Sequence, residues 1–445
     1  MRRAVVGLLV MVGCGDDGPG KVPDAPLPPD AAPACPPVTG AGTTHGSGSV
    51  AAAETWTAAT SPHLVTADTS IGANLTIEAC AVVRISAGRQ ISVRAGGKIT
   101  AAGEAGRPVK IEKADAAAWV NIRTLNGGTL SLTHTTIDGG GDPLNGNIQT
   151  SGALDIAGTT PETQPILFAD HLTVTGSKSC GISLHDGGGF MTGSNTVVIS
   201  GSTVAPITTF ARHVDTIPTG TYTGNTENAI IIRGTGGPEA IVESATIHNR
   251  GVPYRVGIQA NATLDVGPVA GLATLTIEPG VTLKFGQGAK LRIDAASGTA
   301  PARGALIAVG TAASKITFTS AATTPAAGDW HGVWFGGTVN ATTKLDFVNV
   351  EYAGLTPSGS GSDSCLYPGQ TENPAGIRIL GGEPATVFIT NTTIMASASH
   401  GIDRGYRSDT KPSFQATNTF TAVARCKETY PRDVSGACPT TVPCP

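Results

Sequence analysis

The feature that most constrains the fold of this 445-residue chain is a long internal repeat. Residues 75–85 read LTIEACAVVRI, and residues 275–285 read LTIEPGVTLKF, at a constant offset of 200 positions. With loops inserted, the alignment extends over roughly residues 50–215 and 250–425, which is most of the chain. Self-similarity of this kind predicts a repeat architecture, here one built from two homologous halves.

A shorter rhythm runs within each half. Stretches such as LTI, VVRI, ISV and VKI alternate apolar with polar residues and are separated by Gly, Pro, Asn, Asp or Ser. Alternation over three to five residues is typical of half-buried β-strands, and hairpin signals between matched strands are scarce. Strands without hairpins predict solenoid coils of roughly 20–25 residues, about a dozen or more, in which each strand pairs in parallel with the next coil. An array of β-sandwiches is the alternative.

The second half carries the repeat pattern most clearly. Its segments are Leu275–Phe285, Leu291–Ile293, Gly304–Thr311, Ile316–Ser320 and Trp330–Phe335. This pattern resembles that of right-handed parallel β-helix surface proteins of the pectin-lyase-like kind, and the first half resembles a degenerate copy of it. The resemblance implies an all-β fold, a right-handed parallel β-helix solenoid. It is weak for function, because β-helices carry lyases, hydrolases, adhesins and inert stalks alike.

The N-terminus reads as an export signal. Arg2 and Arg3 precede an apolar stretch of about nine residues, too short to span a bilayer, that ends at Gly13-Cys14. The junction resembles the lipobox of bacterial lipoproteins, which implies cleavage before Cys14 and its acylation. Gly15, which is not acidic, implies sorting to the outer membrane, at its surface or periplasmic face. An ordinary secretory signal is the alternative.

Five regions follow from these patterns. We expect a lipoprotein signal peptide at 1–13, a Pro/Gly/Asp-rich tether at 14–45, a first β-helix copy at 46–225, a second at 226–425, and a Cys-containing C-terminal cap at 426–445. The joining segment keeps an apolar run and lacks the composition of a linker. The two copies should therefore form one continuous stack.

Charge limits the partners. The formal net charge is −4 and only 14 % of residues are charged, with no Lys/Arg-rich run, so the chain has no long-range attraction for nucleic acid. We expect a monomer that meets the membrane through an acyl anchor at Cys14 and contacts a surface polysaccharide or protein.

Eight cysteines are present, and lipidation of Cys14 leaves seven. Disulfides persist in exported proteins, and position favours three bonds, although connectivity does not follow from sequence. The expected pairs are Cys35–Cys80, Cys365–Cys426 and Cys438–Cys444. Cys180 aligns with His400 in an apolar strand and is expected to be a buried free thiol. Zinc is the rival interpretation, but close pairs such as C-x-x-C are missing.

Catalytic motifs are not recognisable. Ser399-His400-Gly401 resembles part of the polygalacturonase pattern, but no Asn-Thr-Asp or Asp-Asp element accompanies it. Asp138, Asp142 and Asp186 lie near glycine-rich turns without a calcium-binding motif. We therefore expect no catalytic residue, metal site or cofactor, and hence no enzyme.

The tryptophans are the remaining candidates for a site. Trp119 and Trp330 occupy equivalent places, where packing at a coil corner is favoured over sugar stacking. Trp334 alternates with Val333 and is expected to face outward, which makes it a candidate for stacking on a ligand.

The expected function is that of a non-enzymatic, lipid-anchored cell-surface β-helix protein, adhesin-like or envelope-structural, with carbohydrate as a contact. The alternative is a degenerate or unrecognised polysaccharide lyase or hydrolase. Two carboxylates that converge within about 10 Å would favour the enzyme.

Overall fold

The computed structural model describes residues 34–46, 48–143, 151–158, 166–234, 240–268, 270–294, 302–356 and 362–445. Cys14, the predicted signal peptide and most of the predicted tether lie outside the described residues. Within them the chain forms short β-strands and two short 3-10 segments, at Ala58–Thr60 and Ala211–Thr216.

The strands, in chain order, are β1 (Thr43–His45), β2 (Gly48–Val50), β3 (Glu54–Trp56), β4 (His63–Val65), β5 (Thr69–Ile71), β6 (Asn74–Glu78), β7 (Val82–Ile85), β8 (Ile91–Val93), β9 (Lys98–Ala102), β10 (Val109–Lys113), β11 (Ile122–Thr124), β12 (Thr129–Asp138), β13 (Gly152–Ala157), β14 (Leu167–Thr175), β15 (Cys180–His185), β16 (Asn195–Ser200), β17 (Ile207–Thr209), β18 (Gly220–Thr221), β19 (Ile230–Ile232), β20 (Ala245–Ile247), β21 (Tyr254–Val256), β22 (Thr263–Val266), β23 (Ala273–Ile277), β24 (Thr282–Phe285), β25 (Lys290–Ile293), β26 (Gly304–Val309), β27 (Ile316–Ser320), β28 (Gly332–Phe335), β29 (Lys344–Asp346), β30 (Val348–Glu351), β31 (Ala375–Ile379), β32 (Ile389–Thr390), β33 (Thr393–Met395), β34 (His400–Arg404) and β35 (Thr419–Thr421).

Four parallel sheets run along the stack. One has 14 strands, in the order β2-β5-β8-β11-β13-β15-β17-β19-β21-β24-β27-β30-β33-β35, and another has 11 strands. Two five-stranded sheets, β20-β23-β26-β29-β32 and β22-β25-β28-β31-β34, complete the C-terminal part. Each strand pairs with the equivalent strand of the next coil, so the predicted all-β parallel β-helix is confirmed.

The core is a set of columns that run along the solenoid axis. Alternation places every second residue of a strand inward, so equivalent apolar side chains stack on neighbouring coils at about 4.8 Å spacing. One inward column of the 14-stranded sheet contains Ile91, Ile122, Leu154, Ile182 and Ile207 in consecutive coils. All five side chains are buried, which makes the stack one continuous apolar interior.

Tryptophans fill two corners of the coils, as predicted from packing. Trp119 and Trp330 are both fully buried. The indole N–H of Trp119 donates to the Asp138 carbonyl at 3.2 Å, and that of Trp330 donates to the Glu351 carbonyl at 2.8 Å. Gly140 lies against the first ring with a φ of +81°, and a Cβ there would approach the indole to 2.7 Å, so only glycine fits.

The N-terminal end of the core is closed by a stack of rings. Trp56 lies parallel to His45 and His63, with ring centroids 4.1 and 5.1 Å apart. Burial lowers the pKa of both histidines. The Cys35–Cys80 disulfide, which confirms the predicted pair, ties the preceding segment to the first coils.

The C-terminal end is closed by a folded-back tail, and here the predicted disulfide pairing is wrong. Cys365 bonds Cys438 and Cys426 bonds Cys444, in place of the expected Cys365–Cys426 and Cys438–Cys444. Two segments explain this pairing: the inserted loop between β30 and β31, described over residues 362–374, and the tail after β35, residues 422–445. The tail pairs antiparallel with the inserted loop, and the Cys365 N–H donates to the Tyr430 carbonyl at 2.8 Å. This pairing carries the following residues across the last coil. Cys180 is buried, as predicted, and is not part of these three disulfides.

The sheets also show how the two sequence halves meet. The 14-stranded sheet passes through the joining segment by way of β19 and β21, so the stack is continuous there. However, β7 lies in the 11-stranded sheet, whereas β24, its match at the 200-residue offset, lies in the 14-stranded sheet. The faces of the solenoid therefore change their order at the junction. Homology between the halves remains a prediction.

Candidate functional site

The outer faces of the solenoid carry rows of polar side chains, and Trp334 lies in one of them. Its half-buried ring projects from β28 between neighbouring coils. Lys290 Nζ, from the preceding coil, is 5.1 Å from the ring centroid, and Arg378 Cζ, from the following coil, is 4.9 Å away. Cations therefore contact Trp334 from both neighbouring coils, an arrangement that stabilises both partners.

The full row, which we call the C-terminal ladder, consists of in-register outward residues on β22, β25, β28, β31 and β34. They are Asp265, Arg292, Trp334, Arg378 and Asp403. At one end, the Arg292 guanidinium donates to both carboxylate oxygens of Asp265 at 2.6 and 2.8 Å. This hydrogen bonding raises the pKa of Arg292. Opposite charges on successive coils neutralise each other without a bound ligand.

Asp403 is the centre of the other end of the C-terminal ladder. Its Oδ2 accepts from Arg378 Nε and Nη2, both at 3.2 Å, and its Oδ1 accepts from Ser364 Oγ at 2.7 Å and Thr429 Oγ1 at 3.0 Å. The side chains of Arg378 and Asp403 are 1 % and 0 % exposed. The carboxylate thus joins the sheet, the inserted loop and the tail in a site closed to solvent.

His400, the residue that resembled a catalytic histidine, begins the same strand. It is fully buried, and its ring lies 5.0 Å from that of Tyr367. Burial lowers its pKa to about 4, so the imidazole is neutral at physiological pH. The position is that of a packed side chain beneath the tail.

A second group, which we call the His185 cluster, lies on the 14-stranded sheet in the N-terminal part. His185 Nε2 is 2.9 Å from Asp155 Oδ1, and its Nδ1 is 2.8 Å from Asp186 Oδ2. Burial by itself would lower the pKa of His185, but the hydrogen bonds and negative charges of the two carboxylates outweigh it and raise the pKa. The side chains of His185 and Asp155 are 23 % and 22 % exposed, so solvent reaches them.

Ser183 lies beside this cluster, yet the group is not a serine-nucleophile triad. Both ring nitrogens of His185 are held by carboxylates, so neither is available to accept the serine proton. Ser183 Oγ instead accepts from Arg233 Nη2 at 2.7 Å. The cluster does bring two carboxylates together. Those of Asp155 and Asp186 both contact the His185 imidazole, so they lie within about 8 Å of each other, a separation typical of acid/base pairs.

Sequence reasoning missed the His185 cluster. Asp155 and His185 are 30 residues apart and meet only because β13 and β15 are paired in adjacent coils. In the sequence, Asp186 stands out only as a candidate calcium ligand beside a glycine-rich turn. The available signal is that Asp155 in ALDIA and His185 in SLH are polar residues at outward positions of alternating strands. It becomes informative only when the coil length is known, because the coil length decides which strands pair.

In the part of the chain that the structure describes, no group of three or more His, Cys, Asp or Glu side chains is arranged to hold a metal ion. Nor does that part contain a helix of sufficient length and apolarity to cross a bilayer. The predicted acylation site, Cys14, precedes these residues.

Comparison with known proteins identifies no relative: neither a family model, nor a curated protein, nor a solved structure matches this chain. The function must therefore be inferred from the side chains themselves.

Proposed function

We propose that this chain is a non-enzymatic, lipid-anchored cell-surface β-helix protein, adhesin-like or envelope-structural, that contacts carbohydrate. The observation that carries the proposal is the unbroken 14-stranded sheet from β2 to β35. Strands spaced by about 4.8 Å make it a rod roughly 60 Å long. A rod with closed ends suits the presentation of a long flank to other molecules.

Two further features support an extracellular setting. Three disulfides, Cys35–Cys80, Cys365–Cys438 and Cys426–Cys444, are typical of proteins that mature outside the cytosol. The lipobox-like junction at Cys14 supplies the expected anchor, because two or three acyl chains bind a membrane far more durably than one.

The experiment tests the anchor and exposure together. The intact chain should fractionate with membranes and be cut by protease added to whole cells, whereas Cys14→Ala should release it from the membrane fraction. Cys180→Ala is the matched control, since it removes a buried cysteine of the β-helix and should leave fractionation unchanged. An intact chain that is recovered wholly in the soluble fraction would reject the proposal.

A polysaccharide hydrolase or lyase is the second candidate, favoured by the two carboxylates that meet at His185. If the His185 cluster is catalytic, a panel of acidic and neutral polysaccharides should include one that the purified protein shortens. Asp155→Asn should then reduce the rate at least 100-fold, as loss of an acid/base group does. The same panel left intact by the unmodified protein would remove this candidate.

A further inference from the structure

The junction between the N-terminal and C-terminal parts interrupts the regular wall of the solenoid. Strand β18 ends the 11-stranded sheet, and β20 begins a separate five-stranded sheet. Strand β20 pairs with β23 on one side, and on the side towards β18 it packs against the 3-10 segment Ala211–Thr216. The 14-stranded sheet continues through the junction, but on this other wall the strands do not stack across it, which leaves space at the surface.

Two cavities occupy this space, and Asp215 lines both. One is about 510 Å³ and is also lined by Ser194, Asn195, Thr219 and Arg250. The other is about 210 Å³ and is also lined by Ser244, Thr246 and His248. We call the pair the junction cleft. The larger cavity falls within the size range of small-molecule sites in proteins.

Asp215 is the unusual residue of the junction cleft. It is half-buried, and burial raises the pKa of its carboxyl. Among the described residues, no side chain donates a hydrogen bond to it, whereas Asp155, Asp265 and Asp403 each accept from a neighbouring side chain. Backbone N–H groups of Asp215 and Thr216 are hydrogen-bond donors to this carboxylate, and His213 and His248 lie near it. Because no side chain occupies its remaining lone pairs, the carboxylate can accept further hydrogen bonds from a ligand in the cavities that it lines.

Arg250 provides a fixed donor in the larger cavity. Its Nε and Nη2 both donate to the Ile217 carbonyl, at 2.9 and 2.6 Å, which holds the guanidinium plane in place. Nη1 has no hydrogen-bond partner among the residues that the structure covers. The larger cavity therefore combines one carboxylate, one positioned guanidinium and a rim of hydroxyl and amide groups.

We propose that the junction cleft binds a short segment of neutral oligosaccharide, with Asp215 accepting hydrogen bonds from sugar hydroxyls and Arg250 donating to sugar oxygens. One negative and one positive group balance, so neither an anionic nor a cationic ligand is favoured. Sugar hydroxyls both donate and accept, and they match this mixed set of groups. The inference rests on the carbohydrate contact in the proposed function and names the site for it.

The test uses the full chain with Cys14→Ala, which purifies without an acyl group. Binding of chitotriose, cellotriose and maltotriose is measured by calorimetry, with a galacturonate trimer as the charged comparison. At least one neutral trisaccharide should bind, and more tightly than the charged one. Asp215→Asn should weaken that binding at least tenfold, and Glu104→Gln, a change on an exposed side chain elsewhere, should leave it unchanged.

Several results would overturn the inference. These are no binding of any neutral trisaccharide, preference for the galacturonate trimer, or binding that Asp215→Asn does not alter while the thermal midpoint stays unchanged. In the last case carbohydrate contact survives and only the junction cleft fails. Membrane anchoring is measured separately on cells, so its failure would reject the proposed localisation and leave the junction cleft standing.

Discussion

Strands β15 and β34 lie in different halves of the chain and begin with the same turn. In β15, Ser177 Oγ donates to the Cys180 carbonyl at 2.6 Å, and in β34, Ser397 Oγ donates to the His400 carbonyl at 2.7 Å. In both turns the backbone N–H two residues after that serine donates back to its Oγ. Cys180 and His400, which differ in chemistry, are both fully buried behind this turn. The local backbone is thus the same, and the differences arise from what covers it.

The polar side chains near these two strands differ in their exposure to solvent. Beside β15, the His185 cluster remains partly exposed, with Asp155 at 22 %. Beside β34, the inserted loop and the tail enclose Asp403 completely. A buried charged side chain needs partners within the protein, and those partners hold several segments together. Exposed charge remains accessible to other molecules. The enclosed end of the C-terminal ladder therefore joins segments of the protein, whereas the His185 cluster remains open to solvent.

The largest effect should come from Asp403→Asn. This change leaves the buried Arg378 guanidinium without a carboxylate and weakens the contacts to Ser364 and Thr429. Removing one partner of a buried ion pair costs about 3–5 kcal/mol. Hydrogen exchange at the Cys365 amide should report a loss of that size in the opening free energy of the C-terminal end.

Asp155→Asn is the matched control for this comparison. Its carboxylate is partly exposed, so the cost should stay within about 1 kcal/mol. Equal losses of folding free energy in Asp403→Asn and Asp155→Asn would show that burial does not distinguish the two regions.

The next largest effect should follow from removing the Cys365–Cys438 disulfide, which joins the inserted loop to the tail. Replacing both Cys365 and Cys438 with Ser frees a loop of sequence separation 73 and should cost about 2–4 kcal/mol. The loss should appear as early proteolysis of the tail while the N-terminal coils stay intact. Non-reducing peptide mapping provides the direct check: recovery of Cys365–Cys426 would contradict the fold of the tail.

Particular residues show how far the sequence predicts the fold. The alternation in LTI gives the inward positions Leu75 and Ile77, and both are buried. Coil length is less regular than predicted, because Gly48 pairs with Thr69, 21 residues on, whereas Val350 pairs with Ile394, 44 residues on. The alternation of apolar and polar residues predicts which side chains of a strand face inward, because it is a local property of the sequence.

Contacts between coils are harder to predict, because they join residues that are distant in the sequence. The disulfides of the C-terminal end depend on how the tail folds back, and the spacing of Cys426, Cys438 and Cys444 does not encode this. The same holds for Asp155 and His185, which become neighbours only when the loop between their strands has a particular length. The solenoid follows from the alternating strands, whereas the candidate sites depend on which residues of different coils become neighbours.

The pH dependence should separate the two regions by sign. The folded-state pKa of His400 is about 4, below the 6.5 of an unfolded chain. Its stabilising contribution is therefore complete above pH 6.5 and is lost as the pH falls towards 4. At pH 4.5 the loss should reach about 2–3 kcal/mol relative to pH 7. His400→Leu should remove this part of the pH dependence in urea unfolding.

His185 should behave in the opposite way. Its pKa is raised in the folded state, so its stabilising contribution is present below pH 6.5 and is lost as the pH rises through the raised value. His185→Gln should then destabilise the protein more at pH 5.5 than at pH 8. Two variants with the same sign of pH dependence would contradict the assignment of one enclosed and one carboxylate-bound histidine.

The smallest effect concerns Trp334. Trp334→Leu removes the ring between Lys290 and Arg378 and should cost about 1 kcal/mol. Arg123→Leu, the outward change on β11 of the N-terminal part, should cost about 0.5 kcal/mol or less.

Fluorescence then decides what the Trp334 ring contributes to binding. Trp56, Trp119 and Trp330 are buried, so acrylamide quenching should report mainly on Trp334 and should fall in Trp334→Leu. If the ring is the predicted ligand-stacking residue, a bound trisaccharide should protect it from acrylamide. If Lys290 and Arg378 occupy its faces as part of the C-terminal ladder, the trisaccharide should leave the quenching of Trp334 unchanged, while Asp215→Asn still weakens trisaccharide binding at least tenfold. Protection of Trp334 by sugar would transfer the carbohydrate contact from the junction cleft to the C-terminal ladder.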